Sequence, residues 1–528
     1  MLKKNWSSIV LACGSNAFNQ CNLDLELNST SFVSAHMPAF DQDKNKAIAI
    51  SCGTNLSAVI VQAQDGTSTC YAWGSGALPG VQLRVPLPIA NLRVNAVSCG
   101  QDHIAFITSD GQAFTWGCGD HGMLGHGNKQ AVTTPKLVVA LKDMVCIDVS
   151  CGGYHTVFIA APLDQLAVIH LPETADMASK PVHGGHLFCC GQTKAGQLGT
   201  GPVNRPCVPT PVRIALPGDC NLAVKVSCGL HHTVVLGMSG GTTFVSAQDV
   251  RSMVSCCGWN EHGRLGVGDE DQRFELTAAK LPEGFLAVNI SAGEQHTISL
   301  GSDGSCYAWG NNSTGQLGIG NPSTTPLSLI PAKIPVPEGM LITNVACGGR
   351  HSAALTHCGR MLSWGWNEEG QLGHGSEKNA YLPRPCRIPR IESEIGVPLS
   401  ISAGMSHTLL IVRNEHYMAT MPSPPKIVVE EEPKPQFWVP EHVESDSDEE
   451  INEVIEEIRV PATETRKQAV VAEDDVGIEA DGNYRPDSAP IRSIRELLRS
   501  REDAARFVVV VIVVVVIDFF ESKNVYFF

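Results

Sequence analysis

The sequence predicts an all-β fold, a seven-bladed β-propeller, followed by a largely disordered acidic C-terminal tail. Three observations predict it. Two short glycine motifs recur along residues 8–415, the spacings between them are nearly constant, and the segments between the glycines read as short strands joined by tight turns.

The first motif is a small residue, then Cys or Ala, then Gly, with His three residues after that Gly. It reads Ser98-Cys99-Gly100 with His103, Ser150-Cys151-Gly152 with His155, Ser227-Cys228-Gly229 with His232, and Ser291-Ala292-Gly293 with His296. It continues as Ala346-Cys347-Gly348 with His351 and Ser402-Ala403-Gly404 with His407, and a seventh copy, Ser51-Cys52-Gly53, has Leu56 in place of the histidine. The second motif is an aromatic residue or Cys before Gly, at Gly14, Gly74, Gly117, Gly191, Gly258, Gly310 and Gly365. In its clearest copies Trp309-Gly310 leads to Gly315-Gln316-Leu317-Gly318, and Trp364-Gly365 leads to Gly370-Gln371-Leu372-Gly373.

Within a unit the first glycine precedes the second by 21, 17, 39, 29, 17 and 17 residues; the second precedes the next first by 39, 26, 35, 38, 35, 38 and 39. Between them lie strand-like runs such as Asn344-Val345-Ala346, Ser352 to Leu355 and Arg360 to Trp364, with Cys358-Gly359 and Asp303-Gly304 at hairpin positions. Each unit is then an antiparallel sheet of about four strands that cannot bury both faces alone, so the units stack radially. The chain opens on a second motif and closes on a first one, so the two ends are complementary halves of one blade. No long amphipathic helical pattern interrupts residues 1–417, the extent assigned to the propeller.

This pattern resembles the RCC1-like repeat family, named after the regulator of chromosome condensation, over about three quarters of the chain. Departures are Leu56 for His, Cys190 and Cys257 for Trp, and a degraded first copy from Cys13-Gly14 to Gln20-Cys21.

Composition narrows the function. The net charge of −16 is uneven: residues 421–528 hold 24 Asp and Glu against 12 Lys and Arg, leaving 30 against 26 for residues 1–420. Neither part carries the basic surface that drives phosphate binding, so direct DNA binding is not expected. The 19 cysteines are spread over a long chain with no export signal, which fits a reducing compartment, cytoplasmic or nuclear. The start of the chain shows neither a signal peptide nor an early membrane span.

No catalytic, metal or cofactor site is expected. Cys with His four residues on, as in Cys99/His103 and Cys347/His351, occurs four times, but each pair lies in a different blade, whereas a metal needs about four converging ligands. The cysteines then read as small buried residues and the histidines as polar groups satisfied within their own blades. Gly117 to Gly122 matches a dinucleotide fingerprint by spacing alone, as one copy of a repeat turn with no helix to follow. Trp73, Trp116, Trp309 and Trp364 are equivalent and are expected to seal neighbouring blades.

The blades differ where two intervals exceed the 17-residue baseline by 22 and 12, placing insertions at about 161–185 and 238–251. Both fall in the same hairpin position of consecutive blades, so they should emerge side by side on one face. Loops outside the repeat on a rigid scaffold are where binding tends to sit. Asp164, Glu173, Asp176, His183 and Arg251 are the candidate partner-binding residues.

Residues 418–490 read as an acidic disordered linker, opening on Met421-Pro422-Ser423-Pro424-Pro425. Ser445 and Ser447, in Ser-Asp-Ser-Asp-Glu-Glu, are candidate sites for an acidic-directed kinase. Residues 491–528 combine a short amphipathic helix over 491–506 with an apolar run from Phe507 to Ile517. That run is shorter than the roughly 20 residues of a spanning helix. It stays open between a tail anchor, the only membrane role expected, and a wrongly assigned terminal exon.

The resemblance implies a protein-binding platform, since some family members promote guanine nucleotide exchange on a small GTPase and others bind chromatin. It points to a monomeric regulator or exchange factor of a small GTPase, with a chromatin-binding, histone-binding or scaffold protein as the alternative. Ser363 to Asn367 (Ser-Trp-Gly-Trp-Asn) resembles a stretch of a secretion-regulating exchange factor in the family.

Overall fold

The computed structural model describes residues 7–414, apart from 24–27, 36–44, 79–80, 91–92, 170–181, 203, 240–249, 389, 392–393 and 396. Seven four-stranded antiparallel sheets follow one another around an axis. They are blades I (45–90), II (94–137), III (145–214), IV (222–278), V (287–333), VI (342–385) and VII. In blade V, strands a to d are Ala287–Ala292, His296–Gly301, Cys306–Asn311 and Leu327–Lys333.

Blade VII is shared between the two ends of the chain. Its strands a and b are Val397–Ala403 and His407–Asn414, and its strands c and d are Ser7–Gly14 and Ser29–Ser34. The junction is continuous from Ser7 opposite Asn414 to Gly14 opposite His407. In the degraded copy Asn19 and Asn22 adopt positive φ, 61° and 49°, where blades II to VI use glycine. Asparagine tolerates that region better than most residues, so the turn survives the loss of its motif.

The core consists of seven apolar clusters, one at each seam. Val157 and Ile159 of blade III pack with Ala223 and Val226 of blade IV, and Ile298 and Leu300 of blade V pack with Val345 and Trp364 of blade VI. The tryptophans seal the seams as their spacing predicts: the indole N–H of Trp364 donates to the Gln316 carbonyl of the preceding blade at 3.0 Å, and that of Trp73 to the Gln20 carbonyl at 2.9 Å.

The repeated histidines behave differently from the expectation that each is satisfied inside its own blade. His103 Nε2 lies 2.8 Å from Thr156 Oγ1, the hydroxyl that follows the next blade's histidine. The same link joins His155 to Thr233, His232 to Thr297, His296 to Ser352, His351 to Thr408 and His407 to Ser57, at 2.9 to 3.1 Å. Every one of these hydroxyls donates its proton to a main-chain carbonyl, as Ser352 does to Gln316 and Thr408 to Gln371. The hydroxyl oxygen must therefore accept from Nε2–H, which puts a proton on Nε2, and burial keeps the imidazole neutral.

A second ring runs through strand a. The Ser51, Ser98, Ser150, Ser227, Ser291 and Ser402 hydroxyls each accept the N–H of the residue preceding the motif glycine in the next blade, all at 2.9 Å. This ring breaks between blades VI and VII, where Ala346 stands in the serine position. The histidine ring breaks between blades I and II. There Leu56 replaces the histidine and Ile104 the hydroxyl, and both belong to one apolar cluster. Each seam thus keeps at least one polar tie, and the loss of a donor is matched by the loss of its acceptor.

That matching predicts a double-mutant outcome. Leu56→His alone should destabilise the propeller by about 2–4 kcal/mol, because its N–H would be buried against Ile104 without an acceptor. Leu56→His with Ile104→Thr should recover most of that loss. Thermal unfolding of the two single variants and the double variant reads the coupling; simple additivity would contradict the paired-seam account.

Candidate functional site

Antiparallel order gives the propeller two chemically different faces. The a–b turns and c–d loops lie on one, the turn face; the b–c hairpins and d–a connections lie on the other.

Both insertions occupy b–c connections, of blade III between Ala161 and His186 and of blade IV between Met238 and Ser252. They share a face and their bases are adjacent. Gly185 exchanges two main-chain hydrogen bonds with Ala223, both 2.9 Å, while the Arg251 carbonyl stands 3.9 Å from the Cys220 thiol. The blade III insertion forms a short ribbon, Ala167–Ile169 paired with Val182–Gly184. Asp164 is exposed on the turn Leu163–Gln165 beside Leu163, which is 76% exposed; His183 is exposed on the ribbon, opposite Val168. Arg251 is exposed and anchored by its main chain, with N–H donating to Ser239 Oγ and C=O accepting from Ser239 N–H. Among the described residues no ion pair or hydrogen bond joins the side chains of Asp164, His183 and Arg251. Glu173 and Asp176 lie outside the described residues, as do Ser445, Ser447 and the segments 418–490 and 491–528. A groove of about 960 Å³ runs along the outer strands of blades III and IV, from Arg205 in the turn-face loop of blade III past Glu275 to Arg213, over an apolar floor of Val208, Ile214 and Leu276.

On the turn face the seven motif glycines close around the axis. They leave a cavity of about 90 Å³ lined by the glycines, their Cys or Ala neighbours and the residues that follow, among them Thr54, Gln101, Leu230, Glu294 and Met405. That is room for about three waters, far below the several hundred Å³ of a typical small-molecule pocket. Among the described residues no group of three or more His, Cys, Asp and Glu is placed to hold a metal ion. Burial pushes the thiols of Cys52, Cys151 and Cys347 up to about 12, so these cysteines are inert apolar fillers rather than nucleophiles.

Around this cavity one hydrogen bond repeats seven times. The N–H after the second-motif glycine donates to the carbonyl of the residue before the histidine position: Cys118 to Asp102, Gln192 to Tyr154, Trp259 to His231, Asn311 to Gln295, Trp366 to Arg350, Ser15 to Ser406 and Ser75 to Asn55. Its geometry needs the glycine, since a Cβ on Gly258 (φ 118°) would lie 2.5 Å from that carbonyl oxygen. The bond repeats while the paired side chains change from blade to blade. Sequence reading passed over these positions although they adjoin the motifs; their variation between blades was the available signal.

Seven four-stranded blades, closed by strands from both ends and knit by two polar rings, define a repeat propeller. A family model described as the RCC1-like domain matches residues 182–410, and models of the regulator of chromosome condensation (RCC1) repeat match residues 110–159 and 94–122. The chain belongs to the RCC1 repeat family.

Among known proteins, the ultraviolet-B receptor UVR8 of Arabidopsis thaliana is 28% identical over 364 residues, covering 67% of this chain and 73% of the receptor. The probable E3 ubiquitin-protein ligase HERC6 of Homo sapiens is 26% identical over 345 residues, 65% of this chain but 30% of the ligase. The chain thus spans under a third of that relative's length. Human WBSCR16 superposes with a TM-score of 0.60 at 19% identity, covering 77% of this chain and 99% of that one. Prp20p of Saccharomyces cerevisiae, whose structure was described with its binding properties to Gsp1p and histones, superposes with a TM-score of 0.60 at 17% identity, covering 78% and 92%. At these identities the structural likeness shows the fold alone.

Proposed function

We propose that this chain is a protein-binding propeller that regulates a small GTPase, with guanine nucleotide exchange as its mode of action. The observation that carries the reading is the pair of insertions outside the repeat, which leave consecutive blades on one face with adjacent bases and expose Asp164, His183 and Arg251. Exchange needs no covalent chemistry: a loop held by a rigid scaffold can wedge a nucleotide site open by shape and charge. That accords with a fold whose repeated histidines and cysteines are spent on seams. The family resemblance and the pairing of Prp20p with Gsp1p and histones support the same class of partner. The reading places a monomer in the cytoplasm or nucleus, where its 19 cysteines stay as thiols.

The test is capture from nucleotide-depleted lysate by the full chain, with and without residues 163–182. A small GTPase should be enriched, reduced at least tenfold by the deletion and released by added GTP. Capture unchanged by both would overturn the reading.

The acidic run from Glu430 to Glu457 favours a second reading, binding to basic proteins such as histones. That interaction would be insensitive to nucleotide and would weaken steeply between low and physiological salt.

A further inference from the structure

The turn face of blades II to IV carries a feature that the insertions do not explain. Four rings form a row across three blades. His121 and Tyr154 meet edge to face with centroids 4.9 Å apart, Tyr154 and His231 are 6.0 Å apart, and His231 and Trp259 are 5.4 Å apart. The row is held in place from below. Gln101 Nε2 donates to the Tyr154 hydroxyl at 3.1 Å, Trp259 N–H donates to the His231 carbonyl, and the Arg264 guanidinium lies 5.7 Å from the Trp259 ring centroid. Trp259 is nevertheless 43% exposed. A rigid, half-open indole beside a phenol is the kind of anchor that protein interfaces use.

Charge tells what the row fits. Asp102 and Asp120 flank its His121 end, and Glu261 and Glu294 its Trp259 end. Asp102 is half-buried, and its carboxyl is held above its ordinary range by burial and by the negative charge of Asp120. The same face also carries Lys129, Lys194, Arg205, Arg264, Arg273 and, on blade VI, Arg350. Arg273 pairs with the Asp269 carboxylate at 2.6 Å and Arg350 with that of Glu294 at 3.7 Å, which leaves Asp102 and Asp120 as the carboxylates beside the row with no ion pair among the described residues. Arg264 is 2% exposed and already engaged, its Nε donating to the Glu261 carbonyl, its Nη1 to the Glu294 carbonyl, with the Glu261 carboxylate 3.8 Å away. The paired carboxylates of Asp102 and Asp120 beside open aromatic rings favour a cation over a phosphate at that end of the row.

We propose that the turn face of blades II to IV is a docking site for a cationic protein segment, an arginine- or lysine-bearing loop whose side chains stack over Tyr154 and Trp259 and pair with Asp102, Asp120 and Glu261. This site is on the face opposite the insertions and stands or falls independently of them. Because the row is fixed by main-chain and side-chain hydrogen bonds before a partner arrives, little ordering is required on docking.

The test uses the full chain and a fluorescent dodecapeptide with four arginines, alongside its four-citrulline and four-glutamate versions and a single-stranded oligonucleotide. Each peptide carries a benzophenone for cross-linking. The arginine peptide should bind at least tenfold more tightly than the citrulline one and cross-link to segments containing Tyr154 or Trp259. Trp259→Ala, and separately Asp102→Asn with Asp120→Asn, should each weaken it about tenfold or more and remove those cross-links while leaving the melting temperature unchanged. Deleting residues 163–182 should leave binding intact. Cross-links confined to the acidic tail, equal binding of the citrulline peptide, unchanged affinity in the aspartate variant, or oligonucleotide binding lost with Trp259→Ala would each overturn the proposal.

Discussion

Lowering the pH from about 7 to about 5 is expected to unfold the propeller in one cooperative step in which unfolding takes up about eight protons per chain, six at the ring histidines and two at His126 and His374, which burial also holds at about 4. The six ring histidines are fully buried as neutral donors. Burial holds His103 at about 4 and His155, His296, His351 and His407 at about 3, and puts His232 well below the ordinary range. An unfolded histidine titrates near 6.5. Between those values the unfolded chain binds protons that the folded chain refuses, so the stability is fully present above about pH 6.5 and is lost as the pH falls. At pH 5 each of the five histidines held at about 3 to 4 favours the unfolded chain by about 2 kcal/mol, roughly 10 kcal/mol together, comparable with the whole stability of a typical domain. Tryptophan fluorescence against pH, with proton uptake measured in parallel, checks it. Survival of the fold to pH 4 would mean that the ring is not the neutral network described above.

Gly348→Ala is expected to abolish the soluble fold, a loss of more than about 4 kcal/mol. A Cβ there would stand 2.2 Å from Cε1 of His351 and 2.5 Å from the Gly404 carbonyl oxygen of the next blade. Neither neighbour can retreat, since His351 is tied to Thr408 and the Gly404 carbonyl accepts from Gly349 N–H at 3.0 Å. Gly66→Ala, at a hairpin tip with nothing within 4 Å of the new Cβ and φ of 83°, should cost only about 1–2 kcal/mol. Soluble yield and melting temperature of the two variants separate seam geometry from the general cost of replacing glycine.

The blade count and the closing blade were legible because the residues that set them are buried and periodic. Gly14, Gly365 and their equivalents recur wherever a loop must pass close under a neighbouring turn. The insertions were legible for the complementary reason, as departures from the same period. The histidine partners were not, although His155-Thr156, His232-Thr233 and His351-Ser352 stand side by side in the sequence. The bond runs from each histidine to the next blade's hydroxyl, and only the ring geometry pairs Leu56 with Ile104. The row of His121, Tyr154, His231 and Trp259 was hidden more deeply. Its members come from different motif copies and different loops, and nothing in their spacing announces that three blades bring them within ring contact.

The shared blade also sets a clock on biosynthesis. Strand c of blade VII is made first, with Val10, Leu11, Ala12 and Cys13 all destined for burial, and every residue it pairs with along strand b lies at the far end of the propeller. At 5–20 residues per second, the roughly 390 residues between those two strands take on the order of 20 to 80 s to synthesise. Throughout that interval an apolar strand waits at the ribosome without its final partner, so the nascent chain, rather than the finished ring, is the form most in need of a chaperone.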